Sequence, residues 1–218
     1  CSPKLFCQDF DSIIDERDGQ EYKIVKIGHQ WWTAENMNYN GQDSSWYYDN
    51  DSIKYNHQGR FYTFESAKES CPCGWHLPTD EEWKILEVQI GLSNDAADGY
   101  NLRGTNEGGK LKTTGFNYWD SPNKDAINST GFSAFGCGYR NSNGAFSRIG
   151  KGVSFWSSTD GNNDMAWFRS LHNDRGDIHR GFYKKSFGYN VRCVKDTFDG
   201  FDYKNQDKYS GLTYSDLL

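Results

Sequence analysis

The residues of this sequence best suited to chemistry are aromatic and polar side chains that favour binding over catalysis. Aromatic faces stack on sugar rings, and Asn, Asp and Arg side chains form hydrogen bonds with hydroxyl groups. The candidates for such a ligand-binding surface are Tyr118, Trp119, Trp167, Arg169, Asn173, Asp174 and Arg175. For Trp167, and also for Trp156, the alternative is that the ring alternates into the core as a strand residue.

Motifs for catalysis are missing from the sequence. The histidines are scattered, and His76 lies in a turn where a structural hydrogen bond is the expected role. No Ser-His-Asp spacing, Walker loop or paired-carboxylate motif is present. We therefore expect no catalytic residue and no enzymatic activity.

Two short segments, 49–51 and 162–164, carry hard oxygen ligands, but neither follows a known calcium-binding loop. Cys71 and Cys73 form a Cys-x-Cys pair that no second pair accompanies, so a zinc ribbon or a thioredoxin-like site is not expected. We expect no metal site and no cofactor, with calcium as the one alternative.

The composition limits the class of partner. The net charge is −6 and no basic stripe occurs, which argues against nucleic acid. No apolar run is long enough to cross a bilayer. Aromatic residues make up 17% of the chain while the apolar fraction is only 35%, so we expect a core of few, large rings.

The number of cysteines indicates a location outside the cytosol. Six cysteines in 218 residues are typical of an oxidising compartment. The sequence starts at Cys1 without an initiator Met, as a mature bacterial lipoprotein with a lipid on its first cysteine would. The alternative is a cleavage that happens to leave Cys first. We expect lipidation of Cys1 and attachment to the membrane through that lipid.

The elements that must position these residues are organised around one helix–turn–helix stretch. Apolar spacing predicts a short helix within residues 61–70, which Pro72 and Gly74 end. Thr79 begins a second helix, and Glu82 three residues later completes a capping box.

Strands are predicted on both sides of these helices. Residues 16–36 show the turns and alternation of a β-meander, and short strands follow residue 131 at close spacing. A long excursion with one helical turn separates the helices from these later strands. The pattern predicts an α+β fold with antiparallel sheets, divided into a tether at 1–15, a domain at 16–196 and a tail at 197–218.

Seven segments together resemble one family. They are 18–39, 59–63, 71–78 with Cys-Pro-x-Gly-Trp-His-Leu-Pro, 131–134 with Gly-Phe-Ser-Ala, 138–141 with Gly-Tyr-Arg-Asn, 156–159 with Trp-Ser-Ser-Thr and 191–194 with Val-Arg-Cys-Val. In this order they resemble the Fibrobacter succinogenes major paralogous domain. The resemblance covers roughly residues 15–196.

The resemblance implies a fold similar to C-type lectin-like domains and to the formylglycine-generating domain. In lectin-like domains a cysteine after the first helix pairs with one on the last strand, which here implies Cys71–Cys193. Cys73 and Cys137 depart together from the family pattern and suggest a second bridge between them. Cys7 is then unpaired, or pairs with another protein, or with Cys1 if Cys1 carries no lipid.

Family members resemble secreted or surface-anchored bacterial proteins, so the resemblance implies the outer face of the bacterial outer membrane, or secretion. We expect a non-catalytic lipoprotein domain that binds a glycan or a protein in adhesion. The alternative is a structural subunit of an outer-membrane or extracellular assembly, and a third, weaker alternative is a formylglycine-generating enzyme. The known sugar-binding calcium triplets of lectin-like domains are missing here.

Overall fold

The computed structural model describes residues 9–41, 44–198 and 201–202. Cys1 and Cys7, with their expected lipid and pairing, and tail residues 203–218 lie outside this range. The strands are β1 (Phe10–Ile14), β2 (Glu21–Ile27), β3 (Gln30–Thr33), β4 (Ser45–Trp46), β5 (Phe61–Tyr62), β6 (Trp75–His76), β7 (Asn101–Arg103), β8 (Tyr139–Arg140), β9 (Phe146–Ser147), β10 (Gly152–Asn162), β11 (Met165–His172), β12 (Ile178–Lys184), β13 (Val194–Lys195), β14 (Thr197–Phe198) and β15 (Phe201–Asp202).

Helices are few and short, so the fold is mostly sheet. They are α1 (Ser52–Tyr55), α2 (Phe64–Lys68), α3 (Asp80–Gln89) and α4 (Asn94–Asp98), with 3-10 turns at Tyr48–Asn50, Asn56–Gln58 and Glu107–Lys110. Within the described ranges, no helix is both long enough and apolar enough to span a bilayer.

One sheet brings the two ends of the domain together. Its strands lie in the order β1-β2-β3-β13-β6, and every pair is antiparallel. The late strand β13 thus lies between β3 and β6. Strand β1 pairs with β2 over its full length, so residues 10–14 of the segment predicted as a tether belong to this sheet.

A second sheet of four strands, in the order β10-β11-β12-β7, carries the longest strands. Its pairs are antiparallel. Three two-stranded ribbons, β4-β5, β8-β9 and β14-β15, complete the described regular structure. The last ribbon falls inside the segment predicted as a tail.

The predicted capping box begins α3. Thr79 Oγ1 accepts from the Glu82 backbone N–H at 3.1 Å, and the Glu82 carboxylate accepts from the Thr79 backbone N–H at 2.7 Å. The helix ends at Gln89, and Gly91 just beyond it has a φ of 112°, a conformation that L side chains rarely adopt. The predicted helical turn after residue 93 is α4.

Large aromatic rings fill the core, as the composition predicted. Trp32 and Trp83 have ring centroids 4.8 Å apart, and Phe132 and Phe155 close the same cluster at 5.7–5.9 Å. Trp156 is fully buried in a second cluster. The core alternative is therefore the correct one for Trp156.

The first of the short strands predicted after residue 131, at 132–135, is not formed in the structure. Instead, buried Arg192 bonds to two backbone oxygens of this segment. Its guanidinium donates to the backbone oxygens of Thr33, Phe132 and Ser133 and to Asn36 Oδ1, all within 3.1 Å. Two of these carbonyl oxygens therefore bond to a side chain instead of to a strand ladder.

A disulfide joins Cys71, just after α2, to Cys193, just before β13. The expected Cys73–Cys137 bridge is wrong, because both thiols are free. Cys73 is exposed, whereas Cys137 is buried against Asn36 Nδ2 and the Gln58 carbonyl. Burial raises the pKa of the Cys137 thiol to about 12, an environment opposite to that of a reactive cysteine.

Lys112 anchors the long excursion between α4 and β8. Its side chain is buried, and its ammonium donates to the backbone oxygens of Lys124, His172 and Arg175 at 2.8–2.9 Å. A single cation thus satisfies three backbone carbonyl groups and ties the excursion to the turn after β11.

Candidate functional site

A cleft of about 290 Å³ lies over one face of the four-stranded sheet. Strands β10, β11 and β12 form its floor. The β8–β9 ribbon and the segment that follows β12 form its sides. We call it the sheet cleft.

Alternation along β11 decides which side chains reach the sheet cleft. Phe168, Ser170 and His172 line it. Arg169 and Leu171, at the intervening positions, point to the opposite face, where Arg169 contacts α3 and Leu171 enters the core. The side chains on one face of β11 therefore pack inside the fold, and those on the other face line the sheet cleft.

Gly181 on β12 keeps the floor open. It lies between His179 and Tyr183, which both line the sheet cleft. A Cβ at this position would lie 2.9 Å from His179 Cε1 and 3.3 Å from Phe168 Cε1. Any side chain at 181 would therefore press on two lining residues.

Aromatic rings form much of the lining. Phe168 and Tyr189 are buried in the floor with centroids 5.2 Å apart, and Tyr139 lies 6.1 Å from Tyr189. Tyr183 and Phe187 meet edge to face at 4.7 Å, and Tyr183 is 44% exposed. Mutual ring contacts hold these side chains in place, so the surface is pre-organised.

A hydrogen-bonded pair, Ser170 and His172, lies among these rings. Ser170 Oγ is 3.1 Å from His172 Nε2. Burial, with the charge of Arg148 nearby, lowers the pKa of His172 to about 4. His172 is therefore neutral at pH 7. Within the described part of the chain, no hydrogen bond or ion pair joins His172 to a carboxylate, so the orienting acid of a catalytic triad is not supplied.

His179 is the second neutral imidazole of the sheet cleft. Burial, followed by the charge of Arg103, lowers its pKa. Its Nδ1 is buried and has no hydrogen-bond partner among residues 9–41 and 44–198. A buried polar atom without a partner is costly, and a ligand in the cleft could offer it one.

Arg148 lies at the rim, in the turn between β9 and β10. It is exposed and has a left-handed φ of 64°. No Asp or Glu is among the described residues that line the sheet cleft. The cleft therefore combines apolar rings, neutral hydrogen-bonding groups and one positive charge.

The structure does not bring the seven predicted ligand residues together. Two of them, Trp119 and Arg169, are buried and cannot contact a ligand. Trp119 is buried, and its Nε1 donates to the Ala134 backbone oxygen at 3.0 Å. Arg169 is also buried, where it donates to Asp80 and Glu87 of α3 at 2.6–2.7 Å. Neither side chain is accessible to a ligand, because each already satisfies a partner inside the fold.

Tyr118 lines a different cleft, of about 350 Å³, which also contains Tyr55, His57 and Asp120. Its ring stacks on Phe135 at 4.2 Å. Loops and a 3-10 turn supply most of this second cleft, whereas strands supply the floor of the sheet cleft. Rigid strands hold side chains more accurately than loops do, so the sheet cleft is the stronger candidate.

Trp167 lies on the far face of the same sheet, half-buried beside Tyr100 and Phe182. The Arg180 guanidinium covers its ring at 4.0 Å. Trp167 is therefore neither a buried core residue nor part of the sheet cleft. Its ring reaches the surface on the opposite face of the sheet.

Asn173, Asp174 and Arg175 form the turn after β11. Asn173 Nδ2 donates to the Ser121 backbone oxygen at 3.1 Å, and the Arg175 backbone oxygen accepts from Lys112. Asp174 is exposed. The contacts of this turn therefore mainly hold neighbouring loops in place, although the turn directly follows His172, which lines the sheet cleft.

Sequence reasoning missed the lining of the sheet cleft. One of the short strands predicted after residue 131 spans residues 165–171, and Phe168 and Ser170 alternate along it. The residues that cover this face could not be predicted, because Tyr139 and Phe187 come from segments that are separate in sequence. The candidate calcium segments gather no group of three or more His, Cys, Asp or Glu residues within the described ranges.

Comparison with known proteins supports the resemblance found in the sequence. The family model described as Fibrobacter succinogenes major domain matches residues 25–195, more than half of the chain. No curated protein and no solved structure matches. The matched range contains the four-stranded sheet and the lining of the sheet cleft. This chain belongs to the Fibrobacter succinogenes major domain family.

Proposed function

We propose that the chain is a non-catalytic binding domain that holds a sugar in the sheet cleft. The observation that carries this proposal is the combination of rings and neutral hydrogen-bonding groups in one cleft. The rings are Tyr139, Phe168, Tyr183, Phe187 and Tyr189. The neutral polar groups are Asn141, Ser154, Ser170, His172 and His179.

Sugars present two kinds of surface, and the sheet cleft matches both. The C–H faces of a sugar ring pack on aromatic rings, and its hydroxyls exchange hydrogen bonds with amides, hydroxyls and imidazoles. A pocket of apolar walls with a few convergent polar groups is the usual form of a small-molecule site. The free Nδ1 of His179 and the Ser170–His172 pair lie on strands that form the floor.

We further propose that the fold is of the C-type lectin-like kind, as the family resemblance implies. Three features support this: the successive helices α2 and α3, a closing strand beside β3, and the Cys71–Cys193 disulfide. The disulfide also supports an oxidising location, either secreted or on the outer face of the bacterial outer membrane. Lipidation of Cys1 stays part of this proposal.

The test is glycan binding by the full chain, measured on a glycan array and then by titration calorimetry. Tyr183→Ala removes the exposed ring of the sheet cleft. We expect a loss of affinity of tenfold or more for the glycans that the wild type binds. The matched control is Tyr100→Ala, because Tyr100 is 51% exposed but lies beside Trp167, outside the sheet cleft.

Two outcomes would contradict the proposal. If Tyr100→Ala abolishes binding while Tyr183→Ala does not, the ligand lies on the Trp167 surface. If no glycan binds and the protein purifies as a defined oligomer or with another protein, the result favours the alternative function, a structural subunit of a surface assembly.

One observation favours that alternative, a structural subunit of a surface assembly. Within the described residues, β1 pairs with β2 alone and forms an edge of the five-stranded sheet. It exposes Phe10 (60%) and Ile14 (66%). An edge strand with exposed apolar side chains can accept a strand from a neighbouring chain.

A further inference from the structure

The charge of the sheet cleft narrows the class of sugar it can take. Its described lining contains no Asp or Glu, and both of its histidines are neutral at pH 7. Asp174, the closest acid to His172 in sequence, is exposed and does not line the cleft. Arg148 is therefore the one full charge of the lining at neutral pH.

Arg148 differs from the other arginines in the described ranges. Each of the others contacts an acid, an oxygen acceptor or an aromatic face; they are Arg17, Arg60, Arg103, Arg140, Arg169, Arg175, Arg180 and Arg192. The guanidinium of Arg148 makes no hydrogen bond or ion pair with a described residue. Arg60, Arg140 and Arg192 also lack a carboxylate partner, but each is occupied by a hydroxyl, a backbone oxygen or an aromatic ring, whereas the guanidinium of Arg148 is available to a ligand.

We propose that the sheet cleft binds a carboxylated sugar of the hexuronic acid class, and that Arg148 pairs with the ligand's carboxylate. This inference rests on the proposed function. The planar guanidinium presents two parallel N–H groups that match the two oxygens of a carboxylate. The rings of the cleft then pack on the sugar, and its hydroxyls bond to Ser170, His172 and His179.

The shape of the cleft supports a sugar acid over a compact inorganic anion. A phosphate or sulfate would use the guanidinium but would leave the rings of Tyr139, Tyr183 and Phe187 without a partner. A volume of about 290 Å³ is at the small end of the range of ligand sites, roughly 300–1,000 Å³. It therefore suits a single ring, such as one unit of a longer polysaccharide.

The experiment compares each acid with its own neutral form. Oligomers of galacturonate, glucuronate and mannuronate, and their methyl esters, are titrated into the full-length protein. The ester keeps the ring and hydroxyls, removes the charge and adds one methyl group. For at least one of the three sugars, we expect the acid to bind tenfold or more tightly than its ester, and the difference to shrink as NaCl rises.

Two variants assign the charge to Arg148. Arg148→Gln is expected to weaken binding of the acid tenfold or more and so to abolish the difference between acid and ester. Lys151→Gln is the matched control, because Lys151 is an exposed cation three residues away that does not line the sheet cleft. If Arg148→Gln fails to fold, Arg148→Asn is used instead, since Asn tolerates a left-handed φ.

The outcomes separate this inference from the proposed function. Equal affinity for acid and ester, or a preference for acid that survives both Arg148 variants, would overturn the uronate inference. The sugar-binding proposal would stand if Tyr183→Ala still weakened binding. Binding of neither form of any of the three sugars would also overturn the inference, and the glycan array would then decide the proposed function separately.

Discussion

Nε of Arg169 donates to Oε1 of Glu87 at 2.6 Å, although 82 positions separate the two residues. Arg103 donates to both oxygens of the same carboxylate at 2.7 Å. All three side chains are at most 2% exposed. Glu87 of α3 is thus the shared partner of two cations from two strands of the four-stranded sheet.

The first prediction concerns Glu87. Glu87→Gln leaves buried Arg103 without its carboxylate partner, while Arg169 keeps Asp80. Breaking a buried pair typically costs about 3–5 kcal/mol, so we expect a loss of that size in the free energy of unfolding. Urea denaturation measures it. The control is Glu65→Gln, which breaks the exposed pair with Lys68 and should cost less than about 1 kcal/mol. Equal losses of stability in the two variants would mean that the buried network contributes no more than an exposed ion pair.

A second prediction concerns the disulfide. Cys71 and Cys193 are 122 positions apart, and closing a loop of that length stabilises a fold by about 4–5 kcal/mol in the chain-entropy model. The double variant Cys71→Ala/Cys193→Ala should lose about that much in urea denaturation without reductant. Cys73→Ser is the control and should change stability by less than about 0.5 kcal/mol. A large loss in Cys73→Ser would show that Cys73 has a covalent partner in the intact chain.

Stability should depend on pH through His76. Its Nδ1 lies 2.7 Å from Asp196 Oδ1 and its Nε2 lies 2.7 Å from Glu82 Oε1. Burial alone would lower the pKa of His76, but the hydrogen bonds and charges of Glu82 and Asp196 outweigh it and raise the pKa above its ordinary value near 6.5. The imidazolium is therefore bound more tightly in the folded state.

Because the folded pKa exceeds the unfolded one, the stabilisation is complete below about pH 6.5 and is lost as the pH rises through the folded pKa. The stability difference between wild type and His76→Asn should thus be largest at acidic pH and shrink towards pH 9. Urea denaturation across this range measures it. His57→Asn, an exposed histidine elsewhere, is the control. A difference that stays constant with pH would contradict the prediction.

Lys112 is the subject of the last prediction. Lys112→Met keeps the aliphatic stem but removes the donor to three backbone oxygens. Burial lowers the pKa of Lys112 to about 8, so the desolvated charge offsets part of these bonds. We expect a net loss of about 2–4 kcal/mol, with faster amide hydrogen exchange at 172–176. Lys124→Met, exposed on the same excursion, should leave both unchanged, and an unaffected Lys112→Met would show that water replaces the ammonium.

The sequence by itself determined the local elements of this protein and its family. Thr79 and Glu82 encode the start of α3 through side chains within one helical turn, and such short-range chemistry needs no tertiary partner. The same holds for the strand alternation at 165–171, for an aromatic core, and for the motifs that identify the family. The Cys71–Cys193 pairing came from the resemblance alone.

Only the tertiary structure decided which face of each element meets which partner. Trp119 and Arg169 looked like ligand residues because Trp and Arg suit recognition, yet each is buried by segments distant in sequence. Cys73 and Cys137 departed from the family pattern together, yet one thiol faces solvent and the other the core. The sheet cleft arises where the β8–β9 ribbon and Phe187 cover β11. Such contacts between distant segments depend on how the whole chain packs, and no local pattern encodes them.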